Sequence, residues 1–305
     1  MHPEPPRLHI DPVLGHLQLL KLKPMHVQAL HAETEKRGAS PRLRQLVHAV
    51  LRKALNQGVR WGLIPQNPCS AVGQPRVARK PFSVLDAQQV ATLLEASTDD
   101  RLEALYVLAI ATGMRQGEML GLCWTDLDLV AASVSVSRTL SEVGRLEIND
   151  TKTSAGRRLI TLPDFAIAGL KRHRERMFAE GHLAAPPLTI SGQTLPGPLV
   201  FCAPEGGPIF KHNLLARSFR PPLAKAGLPS IRFHDLRHTA ATLLLTANEH
   251  PKVAQERLGH AKVSTTLDIY SHVLPSLQRN AAAKLDDMLT NARAANQAPV
   301  AVDKP

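Results

Sequence analysis

Residues 234–238 read HDLRH, two histidines, an aspartate and an arginine in five positions, and the apolar run TAATLLL follows. Unpaired charge is costly to bury, so this cluster is either fully paired or placed for work. Candidate nucleophiles are few. Of the two tyrosines, Tyr106 lies in an apolar helical run and reads as core, whereas Tyr270 lies in the polar stretch LGHAKVSTTLDIYSHV, downstream of His260. A tyrosine, with an ordinary pKa of ~10, needs nearby positive charge or a base to attack at neutral pH. Arg115, directly after a Gly-Met turn, and Arg237, on the same helical face as His234, are placed to supply that charge. Paired guanidinium groups match the non-bridging oxygens of a phosphate. Lys152, in the turn TKTSAG, is a candidate movable proton donor. No GxSxG elbow supports serine hydrolysis. HDLRH is also close to the zinc motif HExxH, which makes a zinc hydrolase built on His234 and His238 a competing reading. It is the weaker one, because Asp235 is shorter than the required Glu, no third ligand is evident and Arg237 would repel a cation.

Helices and strands must position these groups. Ser40-Pro41 predicts a helix start, with serine as N-cap and proline in the first position. In the run that follows, Leu43, Leu46, Val47, Val50 and Ala54 mark an apolar face. Arg44, His48 and Arg52 recur every four residues on another face, which reads as solvated or, alternatively, as a DNA contact. Residues 62–82, dense in Pro and Gly, predict a linker. Asp86 and Gln89 predict a capping box. RLEALYVLAIATG predicts a buried helix ending at Gly113, with the short helix RQGEMLGLCW after it. SVSVSR, RLEIND and RRLITLP predict three short strands, with TKTSAG joining the last two. Helical patterns resume from Phe165 to about residue 291. The fold class expected is mainly α with a small antiparallel β-sheet. The expected domains are a loop or cut edge at 1–10, a helical unit at 11–78, the end of a linker at 79–82, a second unit at 83–290 and a tail at 291–305.

The chain carries 37 Lys and Arg against 26 Asp and Glu, a net charge of +11, over 305 residues. That excess leans towards a polyanionic partner such as nucleic acid. The three cysteines form no CxxC pair and read as small buried hydrophobes rather than as a disulfide framework or a zinc cage. No apolar run approaches the ~18 residues of a membrane span, and a soluble, cytoplasmic protein is the expectation.

Taken in order, ATGMRQGEMLGLCW, TKTSAGRRLITLP, HDLRHTAATLLL and LGHAKVSTTLDIYSHV resemble the tyrosine recombinases of the phage-integrase type. SPRLRQLVHAVLRKALNQGVRWGLIPQNP is similar to the family's helical core-binding domain. The resemblance implies a DNA-clamping core-binding domain and a catalytic domain that cleaves and rejoins DNA without metal or ATP. It implies that Arg115 and Arg237 clamp the scissile phosphate and that Lys152 protonates the leaving 5′ oxygen. His234 would act as base or orient the nucleophile, His260 would bond a non-bridging oxygen, and Tyr270 would attack to leave a 3′-phosphotyrosine. It further implies double-stranded DNA attachment sites, a homotetramer on paired sites, DNA-bending or directionality factors as partners, and association with the nucleoid when bound. No cofactor is expected. Glu118, Trp124 and His238 read as packing or supporting residues. The segment after Tyr270 reads as an amphipathic helix that in the family docks on a neighbouring protomer. Against the family pattern, an arm-binding domain and the first part of the core-binding domain are expected to be missing. A non-catalytic DNA-binding relic or regulator is the alternative that follows.

Overall fold

The computed structural model describes residues 7–77, 83–150, 156–260 and 282–290. The chain divides into two compact units, Met1–Pro81 and Phe82–Pro305.

The first unit is helical: α1 (Arg7–Leu14), α2 (Pro24–Lys36) and α3 (Pro41–Arg60), closed by a 3-10 turn at Pro68–Ala71. The expected loop over 1–10 is therefore helical from Arg7. α3 begins where Ser40-Pro41 predicts, with Ser40 Oγ accepting from the Leu43 amide at 3.2 Å. Its buried face keeps Leu43 and Val47 of the one expected but turns away from Leu46, Val50 and Ala54. Val47, His48, Leu51, Leu55 and Gly58 turn inward, packing with Leu14, Val27, Leu30, Ile64 and Cys69, while Leu46 and Val50 stay 43% and 40% exposed. The inward stripe continues to Gly58, where Ile64 packs 3.6 Å from where a Cβ would stand. His48 is displaced with it. Instead of joining Arg44 and Arg52 on a polar face, it is 1% exposed, and its Nδ1 shares a 3.0 Å hydrogen bond with His31 Nε2. Burial, with neighbouring positive charge second, lowers the pKa of both rings. The expected linker is also partly structured. Asn67 donates to the Arg52 carbonyl at 3.0 Å and to Asn56 Oδ1 at 2.7 Å, holding the segment against α3.

The second unit opens with α4 (Ala87–Ala96), capped reciprocally by Asp86 and Gln89 as their spacing predicts. α5 (Glu103–Thr112) is apolar on every side and buried from Ala104 to Ile110. The Tyr106 hydroxyl, buried as expected of a core residue, donates to Ser218 Oγ at 2.7 Å. After α6 (Gln116–Leu120) come the strands β1 (Leu127–Asp128), β2 (Ser133–Val136), β3 (Arg138–Val143), β4 (Arg145–Asp150) and β5 (Arg158–Thr161). The pairing departs from a simple meander. β1, β2 and β5 form one antiparallel sheet, in which Val134 faces Ile160, and β3 and β4 form a separate hairpin. RLEIND thus pairs with the unanticipated strand RTLSEV, and residues 151–155 of TKTSAG lie outside the described residues.

Helices α7 (Asp164–Ala179), α8 (Lys211–Asn213), α9 (Arg220–Lys225), α10 (Asp235–Thr246) and α11 (Pro251–Leu258) complete the unit. A small pair, β6 (Thr189–Ile190) and β7 (Gln193–Thr194), follows α7, and a π-helical turn, Leu214–Phe219, joins α8 to α9. The core is built mainly from α5, the strands and the region 199–236. Asn248 adopts φ 61° after α10, a left-handed conformation asparagine tolerates. Residues 282–290 form a helix whose residues are all exposed. Cys69, Cys123 and Cys202 are free and buried. Among the described residues no helix is long and apolar enough to cross a membrane.

Candidate active site

α10 carries the HDLRH cluster at its start, packed on α5, and the charges it buries are individually answered. Asp235 accepts from the Arg232 amide at 2.8 Å and from its guanidinium at 2.8–3.2 Å. Arg237, 3% exposed, donates from Nη1 to the Gly113 carbonyl at 2.7 Å. Gly113 ends α5 at φ 63°. A Cβ there would stand 2.5 Å from Leu258 Cδ2 and 3.5 Å from the Ala240 Cβ. Glycine is thus required both by conformation and by the close approach of α10 and α11.

Arg115 caps α6. Its amide donates to Glu118 Oε2 at 2.9 Å, its Nη1 to Glu118 Oε1 at 2.8 Å and its Nη2 to the Gly259 carbonyl at 3.3 Å. α6 reaches this position because Gly117 lets it lie on β3, the Leu140 carbonyl being 2.6 Å from where a Cβ would be. Glu118 is 3% exposed. Burial pushes its carboxyl up, but hydrogen bonds and charge from Arg158, with those from Arg115, outweigh burial and hold it below the usual carboxylate range. Arg158, whose side chain is 7% exposed, donates to Glu118 Oε2 at 2.7 Å and to the Arg257 carbonyl at 2.8 Å.

His260 follows Gly259, which ends α11 at φ 68°. Its carbonyl accepts from Gln255 Nε2 at 2.8 Å. Burial, then the fields of Arg237 and Arg115, lower its ring pKa to about 4. His234 is lowered by burial first and by Arg237 second, against the opposing pull of Asp235. His238 meets His234 edge to face at 5.2 Å between centroids, and burial, then His234, lower it to about 4. At neutral pH the site therefore presents two guanidinium groups beside uncharged imidazoles, an arrangement suited to an anion with oxygens to share. A cleft of about 580 Å³ next to His260 is lined by Arg157, Arg158, Lys252 and Arg257 among others.

Arg115, His234, Arg237 and His260 thus share one electrostatic neighbourhood. Lys152 and Tyr270 lie outside the described residues. Among the described residues no three His, Cys, Asp or Glu gather as metal ligands. The residue the sequence reading passed over is Arg158. Its signal was present, since period-two alternation on β5 places it on the same inward face as Ile160.

The fold defines the class. A Tn1549 transposon integrase fragment, solved in complex with a circular intermediate DNA, superposes with a TM-score of 0.74 at 22% identity, over 92% of this chain and 90% of that one. A lambda integrase dimer bound to a core site gives a TM-score of 0.59 at 18% identity, over 87% of this chain and 69% of that one. The chain thus shares the fold of these two integrases. In sequence, the tyrosine recombinase XerC-like protein of Caldanaerobacter subterraneus subsp. tengcongensis is 30% identical over 283 residues, covering 88% of this chain and 71% of that protein. An integrase of Saccharopolyspora erythraea is 26% identical over 334 residues, covering 91% and 74%. The phage integrase family model matches residues 83–276, and the chain belongs to that family.

Proposed function

We propose that the chain is a site-specific recombinase that breaks and rejoins DNA through a covalent tyrosyl intermediate. The observation that carries this reading is the convergence of Arg115 and Arg237 with the neutral rings of His234 and His260. The two guanidinium groups bind the scissile phosphate and offset the charge that grows on its oxygens in the transition state. His260 hydrogen-bonds a non-bridging oxygen. His234, neutral at working pH, accepts the tyrosyl proton or orients the hydroxyl. Tyr270 Oη attacks phosphorus, the bond to the 5′ oxygen breaks, and Lys152 gives that oxygen its proton, leaving a 3′-phosphotyrosine and a free 5′ hydroxyl. A 5′ hydroxyl from a second strand then attacks the phosphotyrosine and releases Tyr270. The phosphodiester energy is kept in the intermediate, so the cycle balances without ATP, and the two arginines take the electrostatic role a metal would otherwise play.

The partner is double-stranded DNA, and the protein acts in the compartment that holds it. Arg44 and Arg52 on α3 are offered as backbone contacts of the first unit, and DNA-bending or directionality factors as accessory partners. The active form is a tetramer on two paired sites. An apolar groove of about 560 Å³, lined by Ile110, Leu162, Phe165, Leu243, Leu244 and Val253, matches in character the exposed Leu285, Met288 and Leu289 of the helix at 282–290. A neighbouring copy's helix fills it.

The test is covalent trapping on a nicked duplex carrying DNA from beside the gene, in matched reactions with and without EDTA. A denaturant-resistant, protease-sensitive adduct formed by the wild type and absent from Tyr270→Phe is the expected result. An adduct that persists in Tyr270→Phe, or one that EDTA abolishes, would overturn this mechanism.

A further inference from the structure

We infer that Arg158 is a positioning residue of this site, whose buried guanidinium ties β5 to Glu118, which holds Arg115, and to the last turn of α11, which delivers His260. This rests on the phosphoryl-transfer reading above.

The geometry is specific. One guanidinium spends Nη2 on Glu118 Oε2 at 2.7 Å, Nη1 on Glu118 Oε1 at 3.3 Å and on the Gly156 carbonyl at 3.1 Å, and Nε on the Arg257 carbonyl at 2.8 Å. Glu118 in turn accepts from the Arg115 side chain and amide, and Arg115 reaches the Gly259 carbonyl, one residue before His260. Three elements far apart in sequence (α6, β5 and the end of α11) are thus fixed to one another through a single planar fork. A lysine ammonium cannot reproduce this, because it lacks the fixed fork that spans both carboxylate oxygens and a carbonyl on the opposite side.

Arg158 also sets the charge state of its partner. Glu118 is buried, and the cations that reach its carboxylate are Arg158 from β5 and Arg115 from α6 itself. α11 brings Arg257, whose guanidinium turns to the Ala111 carbonyl at 2.8 Å, and His260, which burial and the nearby arginines keep neutral. β3 and α5 bring the neutral Thr139, against Gly117, and Thr112, bonded to the Leu108 carbonyl. Without Arg158, the burial of Glu118 is opposed by Arg115 alone. The carboxyl then takes up a proton at higher pH, and once neutral it no longer holds Arg115 by a charge-assisted bond. Activity should fail on the acid side at a pH closer to neutral than in the wild type.

The experiment is single-turnover cleavage of the nicked duplex as a function of pH, with DNA affinity and thermal unfolding measured on the same preparations. The variants are Arg158→Ala, Arg158→Lys, Glu118→Gln and Glu118→Gln with Arg158→Ala. Arg158→Ala should slow cleavage about a hundredfold, the order that a small misplacement of a catalytic group costs, with DNA affinity little changed and the acid limb moved towards neutral. Arg158→Lys should recover part of the rate, and it carries the pH test if the alanine variant does not fold. In the Glu118→Gln background, removing Arg158 should cost less than in the wild type, since only its bonds to the Arg257 and Gly156 carbonyls are then lost. An unmoved acid limb, a loss explained wholly by weaker DNA binding or a lower Tm, or equal losses with and without Glu118 would each overturn the inference. A wild type that forms no Tyr270-dependent adduct overturns the underlying reading instead, and this one with it.

Discussion

At the scale of single residues, the candidate site has its charges already sorted within the protein. Asp235 is engaged by Arg232 and Glu118 by two arginines, so neither carboxylate is left to repel a phosphate. Arg237 is buried and aimed by the Gly113 carbonyl. Replacing it with alanine should lower the cleavage rate by about 10²–10³-fold, as loss of one transition-state donor does. Replacing it with lysine should recover little, since the bidentate fork is lost. A quench-flow comparison on the nicked duplex checks both. The histidines make a second claim. His238 and His260 have folded-state pKa values of about 4, below the ordinary ~6.5 of an unfolded chain. Between those values the unfolded state binds more protons, so stability is full above ~6.5 and declines as pH falls towards about 4. Tm measured from pH 7 to 4 should drop, and His238→Asn should flatten part of that drop.

At the scale of elements, the junction of α5, α10 and α11 is where the placement of the candidate site and packing meet. Gly113→Ala places a methyl group against Leu258, which is fully buried, in a backbone conformation that alanine resists. A destabilisation of about 1–3 kcal/mol is expected, together with a loss of cleavage from the displaced Gly113 carbonyl. Adding Leu258→Ala should relieve the clash but not the strain, which urea unfolding of the single and double variants would show. The same junction shows what the sequence made legible. The end of α5 at Gly113, the cap of α4 and the buried run of α5 all rest on local chemistry, which a sequence states directly. The inward face of α3 does not. Leu46, Val50 and Ala54 repeat as regularly as Val47, Leu51 and Leu55, and tertiary partners such as Ile64 break the tie. The inward turn of His48 has the same origin. The β3–β4 hairpin is local, closing at Gly144, but RTLSEV alternates too weakly to stand out, and the pairing of β2 with β5 depends on long-range closure. Alternation along β5 puts Arg158 on the inward face, but its role is legible only once its partner Glu118, forty positions away, is known.

At the scale of the whole molecule, the net charge of +11 predicts salt-sensitive DNA binding. The plot of log affinity against log salt should be steep. Arg52→Ala should reduce its slope by about one. Arg44→Ala should reduce it less, because Arg44 is already paired with Glu35 at 2.6 Å and its side chain is 18% exposed. Titrations across a salt series separate the two, and equal slopes for all three proteins would remove α3 from the DNA contact. Assembly belongs to this scale as well. Leu285→Glu with Leu289→Glu should leave binding to a single half-site intact and abolish the four-copy complex on paired sites, read by light scattering.

The three buried thiols have a practical consequence. Burial raises Cys69 and Cys123 to about 11 and raises Cys202 as well, so at neutral pH each is both shielded and protonated, and thiol-directed dyes should pass them by. The native chain then serves as a blank for labelling. One cysteine introduced at Leu20, 75% exposed, and another at Val130, 99% exposed, would carry a donor and an acceptor fluorophore on the two units without removing any native residue from the core. Energy transfer between them would report, molecule by molecule, whether the separation of the units changes when DNA is added.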